Sequence, residues 1–175
     1  MNQKLIKAFI CVAIAFLFPY VSNAQIDWKP KYAGEIHMGY GTTSSAQGFD
    51  TYLGRVMLGT THGVAFGKYG DVGLGFDAVM FTHYYKNQGL RFAINPYFSV
   101  RPTYPITNSF SVFLDCAIGA SVPVVNMTGD TEFLYQFGPG IKLKRFNCTL
   151  GIQNIGTGEG STTFFTKVGI ILGKL

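Results

Sequence analysis

Apolar and polar residues alternate with a period of two along most of this chain. Successive side chains of a β-strand point to opposite faces, so this spacing predicts strands. Gly, Ser, Asn and Pro, the residue types that favour turns, separate the alternating segments. The pattern predicts eight strands, near residues 32–41, 51–62, 71–85, 90–101, 110–123, 131–144, 148–155 and 162–174, of which 148–155 is the shortest.

Each predicted strand has one apolar face and one face of small or polar residues. In 71–85 the first face carries Val72, Leu74, Phe76, Ala78 and Met80, and the second carries Gly73, Gly75 and Asp77. A soluble sandwich buries its apolar faces, whereas a membrane barrel turns them towards lipid. The alternation by itself fits both. The glycines favour the barrel, because they recur on the polar face, where a narrow interior has little room.

The first 24 residues have the layout of a secretory signal peptide. Lys4 and Lys7 precede an unbroken apolar run at 8–18, and Ser22-Asn23-Ala24 places small residues before a cleavage point. We expect residues 1–24 to be removed and residues 25–175 to form one domain. An uncleaved N-terminal anchor is the alternative.

The composition indicates an apolar environment. The chain is 47% hydrophobic and only 13% charged, against about 25% charged residues in ordinary soluble domains. Its net charge of +5 includes no Lys/Arg cluster, so we expect no nucleic-acid partner. Residues 25–175 contain no apolar run of about 18 residues, the length that a transmembrane helix requires. We therefore predict an all-β fold, a closed antiparallel up-and-down transmembrane β-barrel, since closure pairs every backbone polar group.

Two stretches, LGTTHGVAFGKYGDVGLGFD (58–77) and NPYFSVRPTYPI (95–106), carry a family resemblance. With the signal peptide and the Gly-aromatic strands, they resemble the small eight-stranded outer-membrane β-barrels of the OmpA/OmpX type, in particular the compact barrels of Bacteroides-like bacteria. The resemblance covers nearly all of residues 25–175 and implies a location in the cell outer membrane. We expect outer-membrane lipid and lipopolysaccharide as partners, and a monomer. The chain departs from the usual pattern in lacking a terminal Phe.

Eight strands with both termini in the periplasm define the loops. Residues 42–50, 86–89, 124–130 and 156–161 would face outward, and 63–70, 102–109 and 145–147 would face the periplasm. The outer loops are short and carry few charges. We therefore expect no large adhesive surface.

The alternation directs polar side chains of every strand into the lumen. They are Glu35, His37, Arg55, Asp77, Asn95, Asp115, Gln136, Gln153 and Lys167. Because a buried charge is costly unless it is paired, we expect linked ion pairs in which Lys167 neighbours Glu35, followed by Arg55 and Asp77. Eight strands enclose an interior that side chains can fill, so these residues predict a structural plug. A proton or ion pathway and a small binding pocket are the alternatives.

The remaining reactive residues do not form a recognisable site. Cys116 and Cys148 fall on the fifth and seventh predicted strands, about 10 Å apart. That exceeds the roughly 7 Å that a disulfide spans, so we expect two free, lipid-facing thiols. The three histidines, His37, His62 and His83, lie on separate strands, and no Ser lies within three residues of any His. We expect no metal site, no cofactor and no enzymatic activity.

Pro96 and Pro139 fall inside predicted strands. Proline cannot donate to a strand ladder, and a closed barrel has no free edge on which to place it. We expect each at a bulge or near a strand end.

Three functions are compatible with these features. The first is an integral outer-membrane barrel with a structural or surface-interaction role. The second is a small pore or transporter for small or apolar solutes. The third is a secreted, lipocalin-like barrel that holds a ligand inside.

Overall fold

The computed structural model describes residues 30–44, 53–82, 91–125, 130–156 and 161–173. They form eight strands: β1 (Pro30–Ser44), β2 (Leu53–Phe66), β3 (Gly70–Thr82), β4 (Arg91–Pro105), β5 (Phe110–Val125), β6 (Glu132–Leu143), β7 (Phe146–Ile155) and β8 (Ser161–Leu172). No helix within these ranges has the length and apolar character needed to cross a membrane. The predicted signal peptide lies outside the described residues.

The eight strands close into a barrel. Each strand pairs antiparallel with the next, and β8 pairs with β1. This confirms the predicted fold class, a closed antiparallel up-and-down barrel. All eight predicted strands are present, with ends shifted by a few residues, and β7 extends over ten residues from Phe146 to Ile155.

The strands are staggered around the barrel. Pairing can be followed from Val112 on β5 through β6, β7, β8, β1, β2, β3 and β4 back to β5, where it arrives at Val122, ten residues further along. A stagger of this kind tilts the strands and sets the barrel diameter. Every residue on this path is an outward-facing small or apolar residue: Ile141, Cys148, Val168, Met38, Leu58, Ala78 and Ile94.

Apolar side chains cover the outside, and polar side chains lie inside. Leu58, Leu74 and Ile118 are 60%, 69% and 56% exposed, whereas Asp115 and Lys167 are 4% and 5% exposed. The predicted orientation of the two faces is therefore confirmed. An exterior of this kind suits hydrocarbon rather than water, because large contiguous apolar surfaces are rare on soluble monomers.

The two ends of the barrel differ in the length of their connections. Residues 67–69, 106–109 and 144–145 join strands at one end, the short-turn end, and residues 45–52, 83–90, 126–131 and 156–160 join them at the other, the long-loop end. Half-exposed or more exposed aromatic side chains lie near both ends: Tyr32, Tyr104 and Phe146 at the first, and Tyr40, Phe133 and Phe164 at the second. Aromatic residues in such positions suit the two membrane interfaces.

Pro96 and Pro139 lie in the interiors of β4 and β6, on the outer surface. The β4–β5 register is the same on both sides of Pro96, and the β6–β7 register is the same on both sides of Pro139. The expectation of a bulge or a strand end was wrong, and the register shift of β4 lies instead at Phe92 and Ala93. Each proline still pairs on its other side, with β3 and β5 respectively. One missing donor is thus accommodated without changing the register.

Cys116 and Cys148 are free thiols on the outer side of β5 and β7. Their partners on the intervening β6 are Phe137 and Ile141, which are four residues apart. Two strand spacings and this offset separate the cysteines by about 16 Å. The distance rules out a disulfide and is larger than the sequence alone suggested.

Candidate functional site

Seven polar side chains form a closed circuit of contacts inside the barrel, which we call the lumen ring. They come from β1, β3, β4, β5, β6 and β8. In order around the circuit, the members are Glu35, His37, Asp77, Lys167, Gln136, Asp115 and Arg101. Six of them are buried, and the side chain of Arg101 is 12% exposed.

Asp77 has three polar partners inside the barrel. It is fully buried, with 0% exposure. Lys167 Nζ donates to Asp77 Oδ2 at 2.9 Å, His37 Nε2 lies 2.7 Å from Oδ1, and the Tyr97 hydroxyl donates to Oδ1 at 3.2 Å. The same Lys167 ammonium donates to Gln136 Oε1 at 2.8 Å. A carboxylate removed from water is thus surrounded by donors, as its stability in a low dielectric requires.

The second half of the ring is built around Arg101. Its Nη1 donates to Glu35 Oε2, and its Nε lies 3.6 Å from Asp115 Oδ1, at ion-pair distance. Gln136 Nε2 donates to Asp115 Oδ2 at 2.6 Å, and His37 Nδ1 lies 3.5 Å from Glu35 Oε1. These contacts close the circuit. The ring therefore ties together strands that do not pair with one another.

His37 is the group that can balance the charge of the lumen ring. Three carboxylates face two permanent cations, Arg101 and Lys167. Both imidazole nitrogens of His37 face a carboxylate, that of Glu35 or of Asp77. Since a carboxylate only accepts hydrogen bonds, this geometry suits an imidazolium that donates from both nitrogens.

Gly59 explains how His37 and Asp77 meet across the intervening strand. Its partners are His37 on β1 and Asp77 on β3. A Cβ at this position would lie 2.6 Å from His37 Nε2 and even closer to the Asp77 carboxylate. The missing side chain therefore leaves the space in which the imidazole and the carboxylate make contact.

The predicted order of neighbours around the lumen is wrong. The direct partner of Lys167 on β1 is Gly39, and Glu35 lies opposite Ile171. Because of the stagger, Lys167 reaches across the lumen to Asp77 on β3, while Glu35 binds Arg101 on β4. Arg55 forms neither of the expected contacts in the ring.

The remaining predicted lumen residues lie beside the ring. Arg55 donates to Thr43 Oγ1 at 3.1 Å and to Gln153 Oε1 at 3.3 Å, and Gln153 Nε2 donates to Gln136 at 3.5 Å. Asn95 is fully buried next to Asp77, and neither polar atom of its side chain has a hydrogen-bond partner among the described residues. All nine predicted residues thus lie inside the barrel. Six of them belong to the lumen ring, and Gln153 and Arg55 extend from Gln136 as a branch.

Sequence reasoning missed Arg101 and Tyr97, although both share the inward parity of Asn95 on β4. The predicted strand ended at residue 101, immediately before Pro102. β4 in fact continues to Pro105. The alternation of the chain therefore contained the signal for both residues.

Apolar side chains fill the lumen on the long-loop side of the ring. Met57 and Val79, both fully buried, pack with Phe165. A second cluster contains Tyr97, Ala117, Leu134 and Ile155. An eight-stranded barrel has an interior of about this capacity.

A cavity of about 400 Å³ opens on the other side of the ring, at the short-turn end, and we call it the vestibule. Its inner wall includes Glu35, Thr61, Arg101 and Phe113, and its rim includes turn residues 67–68 and 106–109. Five cationic side chains line it, Lys31, Lys68, Arg101, Lys142 and Lys144, against two acidic ones, Glu35 and Asp71. The vestibule is therefore a water-accessible chamber with an excess of positive charge.

Of the other histidines, His62 lies on the outer surface of β2, and His83 lies outside the described residues. The Thr60 hydroxyl donates to the Glu35 carbonyl at 2.8 Å, so His62 Nε2, 2.8 Å from Thr60 Oγ1, is the donor of that pair. The Tyr32 hydroxyl then donates to His62 Nδ1 at 2.5 Å. Both ring nitrogens are satisfied on a surface that faces lipid. Among the described residues, no cluster of His, Cys, Asp and Glu could hold a metal ion.

No protein-family model and no curated protein sequence matches this chain. Several solved structures align with it. The outer membrane enzyme PagL aligns with a TM-score of 0.54 at 14% identity, over 78% of this chain and 98% of its own. Neisserial surface protein A aligns with a TM-score of 0.57 at 8% identity, over 82% of this chain and 97% of its own. Identities this low show a shared fold only.

The PagL alignment corrects one expectation. We predicted no enzymatic activity, but an outer-membrane enzyme has this same fold. A fold does not determine whether a site is catalytic, so the prediction was wrong to exclude catalysis.

The closed eight-stranded barrel, its apolar exterior and both alignments lead to one assignment. The chain has the fold of the small eight-stranded β-barrels of the outer membrane.

Proposed function

We propose that this protein is a closed membrane scaffold, an outer-membrane barrel with a structural or surface-interaction role whose interior does not conduct solutes. One observation carries the proposal. The lumen ring and the apolar side chains on its long-loop side fill successive levels of the barrel interior, where Asp77, Met57, Val79 and Leu134 are 0% exposed. None of these four residues lines the vestibule, which ends below them.

A pore or transporter is less well supported by the same observations. Continuous conduction requires a polar path through the whole lumen, whereas here buried ion pairs adjoin an apolar layer. Moving Asp77 or Lys167 aside would separate a buried pair, which is strongly unfavourable. A soluble ligand-binding barrel is also disfavoured, because Leu74 and Phe164, at 69% and 61% exposure, represent a largely apolar exterior.

The lengths of the connections support an orientation. Outer-membrane barrels have short periplasmic turns and longer extracellular loops. The short-turn end would then face the periplasm, and the long-loop end would face the cell exterior with few charged residues for partners to recognise. Surface contacts at that end would be small in area.

Planar-bilayer conductance tests the closed lumen. Residues 25–175, refolded and shown to migrate as a heat-modifiable band, should give no steady single-channel events after insertion. A variant with Met57, Leu134 and Phe165 changed to Ala tests whether the apolar layer forms the seal, and it should give measurable current. Steady channels from the unmodified barrel would overturn the proposal.

A further inference from the structure

We propose that the vestibule binds a phosphate-type oxyanion, held by Ser111, Lys142 and Asn147. The binding group would be the phosphate of a small soluble molecule or of a lipid headgroup. The site requires only that the short-turn end meets water, whichever side of the membrane it faces.

The three side chains form one row on the inner wall. Ser111 on β5 pairs directly with Lys142 on β6, and Lys142 pairs directly with Asn147 on β7. All three line the vestibule. Directly paired residues on one face have Cβ atoms about 4.5–5.5 Å apart. A hydroxyl, an ammonium and an amide NH₂ therefore converge within reach of one small ligand.

These donors are not used by the protein itself. Asn147 is 6% exposed, and its Nδ2 has no hydrogen-bond partner among the described residues. No ion pair or hydrogen bond joins Lys142 to another described residue. A buried donor without a partner is costly, and a ligand that accepts its hydrogen bond removes that cost.

The charge distribution selects an anion. Arg101 is already engaged by Glu35 and Asp115, so it adds little to the free charge. The remaining cations are Lys142 and, nearer the rim, Lys31, Lys68 and Lys144, and they outnumber the one remaining carboxylate, that of Asp71. Positive charge concentrated in a concave, low-dielectric wall attracts anions and raises their local concentration. A phosphate group offers several acceptor oxygens, which matches three separate donors better than a single-acceptor ligand would.

The volume allows for more than the phosphate alone. At about 400 Å³ the vestibule falls within the range of pockets that hold small organic ligands. The ligand class is therefore a phosphomonoester whose remaining part lies towards the rim. The lysines at the rim would contact further anionic groups.

The test uses the refolded barrel in dodecyl maltoside, a detergent without phosphate, labelled with ¹⁵N. Potassium phosphate is titrated against potassium chloride of equal ionic strength while the side-chain amide signal of Asn147 is followed. Phosphate should shift this signal with saturation. In a second arm, nanodiscs of phosphatidylcholine with and without phosphatidic acid distinguish a lipid source. A saturable shift in either arm supports the site.

Two variants and a control decide whether the named residues are responsible. Lys142→Gln should weaken binding at least about tenfold, because it removes a charge-assisted hydrogen bond. Ser111→Ala, which removes only a hydroxyl, should weaken it less. Lys86→Gln removes the same charge from the connection between β3 and β4 and should leave binding unchanged. No saturable shift in either arm, or equal weakening by Lys86→Gln and Lys142→Gln, would overturn the proposal.

Discussion

Replacing Lys167 by Met removes the ammonium of the lumen ring and keeps a side chain of similar length. Nζ donates to Asp77 Oδ2 at 2.9 Å and to Gln136 Oε1 at 2.8 Å. The variant therefore leaves Asp77 Oδ2 without its donor and leaves Gln136 Oε1 with only the 3.5 Å hydrogen bond from Gln153. Removing one partner of a buried pair typically costs about 3–5 kcal/mol, chiefly because the other charge remains buried. Since His37 still contacts Asp77, we expect the lower part of this range, about 3 kcal/mol.

The assay is urea unfolding of the barrel in lipid vesicles, followed by the shift between folded and unfolded bands on unheated gels. The matched control is Lys142→Met, which removes a lysine without an ion pair and should change the unfolding free energy by about 0.5 kcal/mol or less. Combining Lys167→Met with Asp77→Asn should cost less than the sum of the single changes, since the uncompensated charge is gone. A loss below about 1 kcal/mol for Lys167→Met, or additive effects in the double variant, would refute the reasoning.

Two further predictions concern the lipid face and the closeness of the strands. Ile118 lies near the middle of β5, and Val124 lies near the long-loop end. Ile118→Arg should destabilise the folded barrel by about 2–4 kcal/mol and Val124→Arg by about 0–1 kcal/mol, because a cation on the lipid face is costly only deep in the hydrocarbon. Equal losses in vesicle unfolding would contradict the assigned depth. Gly63→Ala should cost about 1–3 kcal/mol or prevent folding, since its Cβ would press on the backbone of Val72. The atoms nearest to a Cβ at Gly34 belong to Tyr32, which is 55% exposed and can move aside once its hydrogen bond to His62 breaks. Gly34→Ala should therefore cost about 1 kcal/mol, the usual net contribution of one hydrogen bond, and the same urea assay compares the two variants.

The chain's alternation was sufficient to predict the barrel. Strand periodicity, the low proportion of charged residues and the glycines on the polar face can all be read from the local sequence. Each of them follows from a β-sheet that has lipid on one face and a narrow lumen on the other. The same parity directed all nine predicted polar residues inward, where they lie. Pro96 and Pro139 appeared to conflict with a closed barrel. The cost of one missing hydrogen-bond donor can be compared with the stability of the closed strand ladder only when the structure of that ladder is known.

Contacts inside the lumen could not be predicted in the same way. Lys167 was expected beside Glu35 because their strands are neighbours, yet the stagger brings Gly39 opposite Lys167 and lets its long side chain cross to Asp77. Arg101 was not among the predicted lumen residues, although it shares the inward parity of Asn95. The absence of enzymatic activity was also inferred from motif spacing along the chain, and the shared fold with an outer-membrane enzyme shows that such spacing does not exclude catalysis.

By itself, the sequence determined which side of every strand meets lipid and how many strands there are, because both follow from residues two positions apart. Tertiary structure decided which buried charges meet, where the lumen is filled and where the vestibule begins. Those features depend on the ten-residue stagger from Val112 to Val122, which appears only when β8 closes on β1. Side chains from β1 and β4, or from β3 and β8, then meet across the lumen, and these contacts cannot be read from the local alternation of the sequence.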